Sequence, residues 1–182
     1  MYDGELSDGK YHGQGKLTFS NGGYYNGEFQ NGMFVKGTVL LKYDSGSVYE
    51  GGYAFENNIG RCEGKGRLAW ANGDVYDGEF LNNEYHGQGK LTHPNGTYYA
   101  GEFKNGKFLG GTALLKYDSG SEYEGDYAPD KYNGRGRLKR ANGEVYVGEF
   151  LDSKFHGRGK LTLVNGTVQE GKFIDGKFVG SD

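Results

Sequence analysis

A five-residue unit, Tyr-x-Gly-x-aromatic, recurs along the chain. It stands at residues 25–29 as Tyr25-Asn26-Gly27-Glu28-Phe29 and again at 49–53, 76–80, 99–103, 123–127 and 146–150, with weaker copies at 2–6 and 169–173. Successive starts, at 2, 25, 49, 76, 99, 123, 146 and 169, lie 23 to 27 residues apart. A period of that size describes a row of one supersecondary unit, in which each copy buries its apolar face against its neighbours. A single array over 1–182, with a partial repeat from 169, is the expected organisation.

A second unit, Gly-x-Gly-x-Leu, alternates with the first at 13–17, 64–68, 87–91, 134–138 and 157–161; at 37–41 and 111–115 its second Gly is replaced. From its Leu to the next Tyr-type position is always eight residues, whereas the other connection varies from 11 to 15. Both units read as strands by period two. Asn-Gly or Ser-Gly lies between them, as in Asn21-Gly22 and Asn72-Gly73. A two-residue Asn-Gly hairpin would put Leu17 opposite Asn26 and split the apolar residues between faces. The spacing therefore predicts an odd loop of three or five residues with Gly in a left-handed conformation. On the polar face, Lys16 with Glu28, Arg67 with Glu79, Lys90 with Glu102 and Arg137 with Glu149 are expected as a cross-strand charge ladder.

There is also a longer period. Residues 11–18 return at 85–92 and 155–162, and 40–47 return at 114–121, so three unlike hairpins form a cassette used more than once. Glycine supplies 36 of 182 residues, beside 16 Tyr and 11 Phe. Disordered glycine-rich chains lack aromatics, so this one has side chains to bury. The net charge of −3 offers no basic footprint for nucleic acid. One cysteine, Cys62, excludes an internal disulfide framework and reads as a loop thiol in an enlarged third connection, 54–63. No secretory signal or membrane-length apolar run is visible, and the expected location is cytoplasmic.

The full pattern, Tyr-x-Gly-x-aromatic-x-Asn/Asp-Gly-x-x-His-Gly-x-Gly-x-Leu followed by an Asn-Gly turn, resembles the MORN repeat. Residues 76–98 match nearly every position, with Asn83 in place of one Gly, and the resemblance covers essentially the whole chain. It implies an all-β fold: an elongated, single-layer, twisted antiparallel sheet of tandem β-hairpins. It implies no activity, and points to a scaffold in cytoskeletal or ciliary (axonemal) assemblies, to membrane docking, or to a subunit of a larger enzyme complex. Partners implied are proteins, including a helix held against the sheet, further copies of the chain through its ends, and, weakly, lipid head groups.

Catalytic and cofactor readings fail on context. Gly-x-x-x-x-Gly-Lys at 4–10, 101–107, 166–172 and 171–177 is followed by Tyr or Phe, where a phosphate loop needs Ser or Thr and a helix. His12, His86 and His156 recur three repeats apart, about 29 Å at two strand spacings per repeat, too far to share a metal. No catalytic residue, cofactor or metal is expected. The candidate surface is the aromatic face: Tyr25, Phe29, Tyr49, Tyr53, Leu68, Tyr76, Phe80, Leu91, Tyr99, Phe103, Tyr123, Tyr127, Leu138, Tyr146 and Phe150. Either these side chains pack on one another as the core, or they form a groove for a partner.

Overall fold

The computed structural model describes residues 1–57 and 59–181; Asn58, within the enlarged third connection, and Asp182, at the end of the expected array, lie outside the described residues. The elements run as hairpin pairs. They are β1 (Tyr2–Ser7) with β2 (Lys10–Thr18), β3 (Tyr24–Gln30) with β4 (Met33–Lys42), β5 (Val48–Glu56) with β6 (Ile59–Ala69), and β7 (Val75–Leu81) with β8 (Glu84–Thr92). There follow β9 (Tyr98–Lys104) with β10 (Lys107–Lys116), β11 (Glu122–Ala128) with β12 (Lys131–Lys139), β13 (Val145–Leu151) with β14 (Lys154–Thr162), and β15 (Val168–Ile174) with β16 (Lys177–Gly180). All sixteen strands stand in sequence order in one antiparallel sheet, as expected for tandem hairpins.

The connection of fixed length is an odd loop. Phe19 N–H donates to the Gly23 carbonyl at 2.9 Å and Gly22 N–H to the Phe19 carbonyl at 3.0 Å, so three residues, Ser20, Asn21 and Gly22, turn the chain. Gly22 has φ +81°, a left-handed conformation that costs glycine nothing. Asn21 Oδ1 accepts from the Gly23 N–H at 2.9 Å, which holds the turn without help from the rest of the fold. The same loop recurs at Gly46, Gly73, Gly96, Gly120, Gly143 and Gly166. It places Leu17 opposite Tyr25, Leu41 opposite Tyr49, Leu68 opposite Tyr76, Leu115 opposite Tyr123 and Leu138 opposite Tyr146, which keeps these paired apolar side chains on one face.

The variable connection turns differently. Asn31 and Gly32, Asn82 and Asn83, Asn105 and Gly106, and Asp152 and Ser153 all have positive φ. Two left-handed residues in succession define the two-residue hairpin whose twist matches the strands. Asn-Gly thus makes one loop at 21–22 and another at 31–32, and burial of the aromatic residues selects between them. The enlarged third connection lengthens its hairpin: Phe55 pairs with Gly60 and Glu56 with Ile59.

The charge ladder is displaced by one pair. Lys16 lies opposite Asn26, Glu28 opposite Gln14, Arg67 opposite Asp77 and Arg137 opposite Val147. The expected partners are diagonal neighbours, about 7–8 Å apart. The ion pairs that form run to other residues: Glu28 with Lys36 at 3.7 Å, Arg67 with Asp77 at 3.9 Å and Lys160 with Glu170 at 3.0 Å. All are exposed, where such pairs are worth about 0–1 kcal/mol. The acid after the middle Gly has another task at two sites. Glu5 accepts the Gln14 N–H at 3.0 Å and Asp126 the Arg135 N–H at 2.8 Å, each just past a bulge glycine.

The chain packs as two units, one comprising Met1–Leu91 with Phe103–Lys107, the other Thr92–Glu102 and the chain from Phe108 on. The first buries Phe29, Phe34, Val39, Tyr49, Cys62, Tyr76, Phe80 and Phe103. The second buries Ala113, Leu115, Tyr123, Tyr146, Phe150, Phe155 and Phe173. Both cores lie on the aromatic face. Cys62 is no loop thiol: it sits in β6 opposite Tyr53, in the interior, where burial pushes its thiol up to about 11.

Candidate functional site: the aromatic face

The repeating tyrosine explains the repeating glycines. Gly148 and Gly159 face each other across β13 and β14, and the Tyr146 ring lies flat over both. A β-carbon on Gly148 would stand 2.6 Å from the Tyr146 hydroxyl oxygen and 2.7 Å from the Arg158 carbonyl, so no larger residue fits. The hydroxyl spans the cradle to donate to the carbonyls of Glu149 at 2.9 Å and His156 at 3.2 Å. Tyr2, Tyr49, Tyr76 and Tyr123 lie over their own glycine pairs in the same way. Their phenols are desolvated, which holds Tyr76 and Tyr146 up at about 12 and pushes Tyr49 and Tyr123 higher still.

A second aromatic caps four of these five cradles, those of Tyr2, Tyr76, Tyr123 and Tyr146. Tyr11 stacks on Tyr2 at 3.9 Å, Tyr85 on Tyr76 at 3.9 Å, Tyr132 on Tyr123 at 3.8 Å and Phe155 on Tyr146 at 3.8 Å between ring centroids. Phe103 and Phe150 then meet those stacks edge-on, at 5.2 Å from Tyr76 and 5.4 Å from Tyr123. Such pairs add about 0.5–1.5 kcal/mol each beyond the area they bury. The capping aromatics were not among the sequence candidates. Their signal is present, since each stands nine residues after its tyrosine, from Tyr2 and Tyr11 to Tyr146 and Phe155.

Two tyrosines do not lie down. Gly37 faces Gly27 across one edge of β4 but Tyr53 across the other, whereas Gly159 faces glycine on both sides. The pairing has slipped by two residues across β4, and the same slip sets Gly111 opposite Tyr127. Tyr53 and Tyr127 therefore crowd the place where Tyr25 and Tyr99 would rest. The rings meet instead, Tyr25 with Tyr53 at 6.5 Å and Tyr99 with Tyr127 at 5.8 Å. Val39 and Ala113, where other repeats carry glycine, are the sequence mark of this slip, and both are fully buried.

The fifteen candidate residues divide accordingly. Phe29, Tyr49, Tyr76, Phe80, Phe103, Tyr123, Tyr146 and Phe150 are 0–3% exposed and serve as core. Tyr25, Tyr53, Leu68, Leu91, Tyr99, Tyr127 and Leu138 are half-buried and retain surface. In the first unit the slip leaves a hollow of about 570 Å³ lined by Leu17, Phe19, Tyr25, Phe29, Phe34 and Phe55, with Gln30, Met33, Val35 and Asn57 at its margin. Its lining carries no charge, and its volume lies in the range of small-molecule and side-chain pockets, about 300–1,000 Å³.

His12, His86 and His156 each offer a backbone carbonyl to a cradle tyrosine. The buried Nδ1 atoms of His86 and His156 have no hydrogen-bond partner. Among the described residues there is no group of three His, Cys, Asp or Glu side chains placed to hold a metal ion.

The MORN repeat model matches residues 2–24, 59–75, 76–98, 99–110, 123–145 and 146–168, more than half of the chain, and the chain belongs to the MORN repeat family. That family is a non-catalytic repeat module. Alsin from Rattus norvegicus is 32% identical over 92 residues, and alsin from Homo sapiens 32% over 85; each match covers 47% of this chain. The matched region spans only 5% of the length of these curated relatives. Among solved structures, the TCP domain of SAS-4 (dCPAP) in complex with a proline rich motif of Ana2 (dSTIL), from Drosophila melanogaster, aligns at a TM-score of 0.38 and 18% identity. That alignment covers 86% of this chain and 81% of that one.

Proposed function

We propose that the chain is a non-catalytic scaffold that binds protein partners through the part of its aromatic face that the cradles do not consume. The observation that carries this reading is the uncharged hollow around Tyr25, Phe34 and Phe55. Its walls are rigid aromatic rings fixed from behind by the core. Large apolar side chains gain about 1.5–3 kcal/mol each on burial, and binding energy concentrates in such preformed pockets. The seven half-buried candidates, from Tyr25 to Leu138, are the proposed contact residues; the eight buried ones hold the surface in place. A cytoskeletal or ciliary setting is part of the proposal and rests on family membership alone.

Docking to lipid head groups finds less support. On the polar face Lys16, Arg67 and Lys160 are engaged. Arg67 and Lys160 meet acids on the next strand, and Lys16 lies 4.4 Å over the Tyr24 ring. Attraction to an anionic membrane needs unneutralised clusters of Lys and Arg.

The test compares capture of partners from lysate by the wild type and by a Tyr25→Ser/Phe55→Ser variant, after circular dichroism and thermal melts show both folded. Specific loss of a defined protein from the variant supports the reading. An unchanged set of captured proteins contradicts it.

A further inference from the structure

The second unit carries an aromatic cluster unlike the hollow of the first. Tyr99, Phe108 and Tyr127 form a triangle with ring centroids 5.6, 5.8 and 6.3 Å apart. Tyr132 extends it, 6.2 Å from Tyr127, and Tyr117 reaches in so that its hydroxyl meets that of Tyr132 at 2.5 Å. Tyr99, Phe108, Tyr127 and Tyr132 are half-buried and Tyr117 is 43% exposed, so each side chain keeps surface that solvent reaches. The slip across β10 produces this, by lifting Tyr99 off its glycines.

An acid sits at the rim. Tyr127 and Tyr132 face each other across β11 and β12, and the turn that closes this hairpin carries Asp130, exposed and at φ +63°. Its charge reaches the phenols of both Tyr99 and Tyr127 and helps, after burial and the neighbouring phenols, to hold them above the usual value. Acids in the later turns are occupied: Asp152 by Lys131 at 2.7 Å and Asp175 by Lys154 at 3.8 Å. Lys131, next to Asp130 in sequence, is thus committed elsewhere. Among the described residues Asp130 has no ion-pair partner. A carboxylate without a cation, on the turn of a hairpin that carries electron-rich rings, is a combination that attracts positive charge twice over.

We propose that this cluster, built on Tyr99, Tyr117, Tyr127 and Asp130, receives a basic side chain, arginine or lysine, of a protein partner. The inference rests on the reading of the aromatic face as a protein-binding surface and names the chemistry at one place on it. Arginine suits the site better, because its planar guanidinium stacks on a ring while its N–H groups reach the carboxylate. The hollow of the first unit has no charged lining and would take apolar side chains instead.

The test uses two probe peptides, acetyl-Ala-Leu-Arg-Leu-Ala-amide and the same peptide with the neutral isostere citrulline, titrated into the full chain carrying ring-labelled tyrosine and followed by NMR. The arginine peptide is expected to shift the Tyr99, Tyr117 and Tyr127 signals saturably, with about fivefold or more preference over citrulline. Asp130→Asn, at an exposed turn, should weaken the arginine peptide about threefold or more while the buried Tyr146 signal stays in place. Equal response to both peptides, no response of these rings at millimolar probe, or indifference to Asp130→Asn overturns the proposal. The probes need no natural partner, so such a failure leaves the protein-binding reading to the capture experiment.

Discussion

The Tyr146 ring rests on Gly148, close enough that a β-carbon there would stand 2.6 Å from the tyrosine oxygen. That contact converts a one-sheet protein, with no second layer to cover its apolar face, into one that covers the face with its own side chains. Domains normally need two packed layers. Here large rings lie flat over strips of glycine and make the second layer themselves.

Gly148→Ala is expected to cost about 3 kcal/mol, because the added carbon meets backbone as well as the ring and an overpacked strand must shift. Gly106→Asn is the control. Gly106 has φ +75° with nothing within 4 Å of an added β-carbon, and Asn83 already takes the equivalent turn position at φ +69°, so the cost should stay below about 1 kcal/mol. Urea denaturation of both variants measures the difference.

Removal of a single hydroxyl separates the two kinds of tyrosine. Tyr146→Phe leaves the Glu149 and His156 carbonyls short of a donor, and is expected to cost about 1–2 kcal/mol. The Tyr25 hydroxyl makes no hydrogen bond among the described residues, so Tyr25→Phe should change stability by less than about 0.5 kcal/mol. Thermal melts of the two variants give the comparison.

Alkali should unfold the protein through the same groups. Burial raises the Tyr76, Tyr85 and Tyr146 phenols to about 12, above the unfolded value of 10.0. A raised folded value means stability that is complete below the unfolded value and is lost as pH rises through the folded one. Loss of structure is therefore expected to begin near pH 10 and to deepen toward 12. The tyrosinate absorbance should rise in two stages, exposed residues first. A single stage complete by pH 10.5, with the fold intact, would contradict the buried cradle.

On the acid side, the Arg140 guanidinium, 2.7 Å away, and the Asn142 amide hold the Glu144 carboxyl below its usual range. A depressed carboxylate contributes stability that is present above its unfolded value, about 4.3, and fades as pH falls through the folded one. The group is exposed, so the effect on melting should be small and confined to the window below the unfolded value. An NMR titration should find the Glu144 carboxyl returned upward in Arg140→Gln.

Much of this fold is legible in the sequence. The constant eight residues between Leu and Tyr, together with the need to keep both on one face, lead to the odd loop that Phe19 and Gly23 close. The same arithmetic sets Lys16 opposite Asn26, and the expected ladder from Lys16 to Glu28 failed because it counted to the diagonal neighbour. The slip across β4 left a trace, Val39 in place of glycine and one extra residue before Gly37, yet its meaning depends on two neighbouring strands at once. Period two gives the face of Tyr25 and Tyr76 but not which ring lies down. That is decided by whether the next strand brings glycine or Tyr53 alongside. Cys62 misled for a similar reason: it lies in a stretch that reads as an inserted loop, yet pairing with Tyr53 carries it into the core.

Tyrosines at equivalent positions of one repeat do unlike work, Tyr76 as core and Tyr25 as surface. The most direct measurement is urea denaturation of Tyr76→Leu beside Tyr25→Leu. Both lie in the first unit and face the same motif. Tyr76→Leu, which loses a cradle, a stack and a hydrogen bond, is expected to cost about 3 kcal/mol, and Tyr25→Leu less than about 1 kcal/mol. Equal costs, or a larger one at Tyr25, would overturn this division of roles.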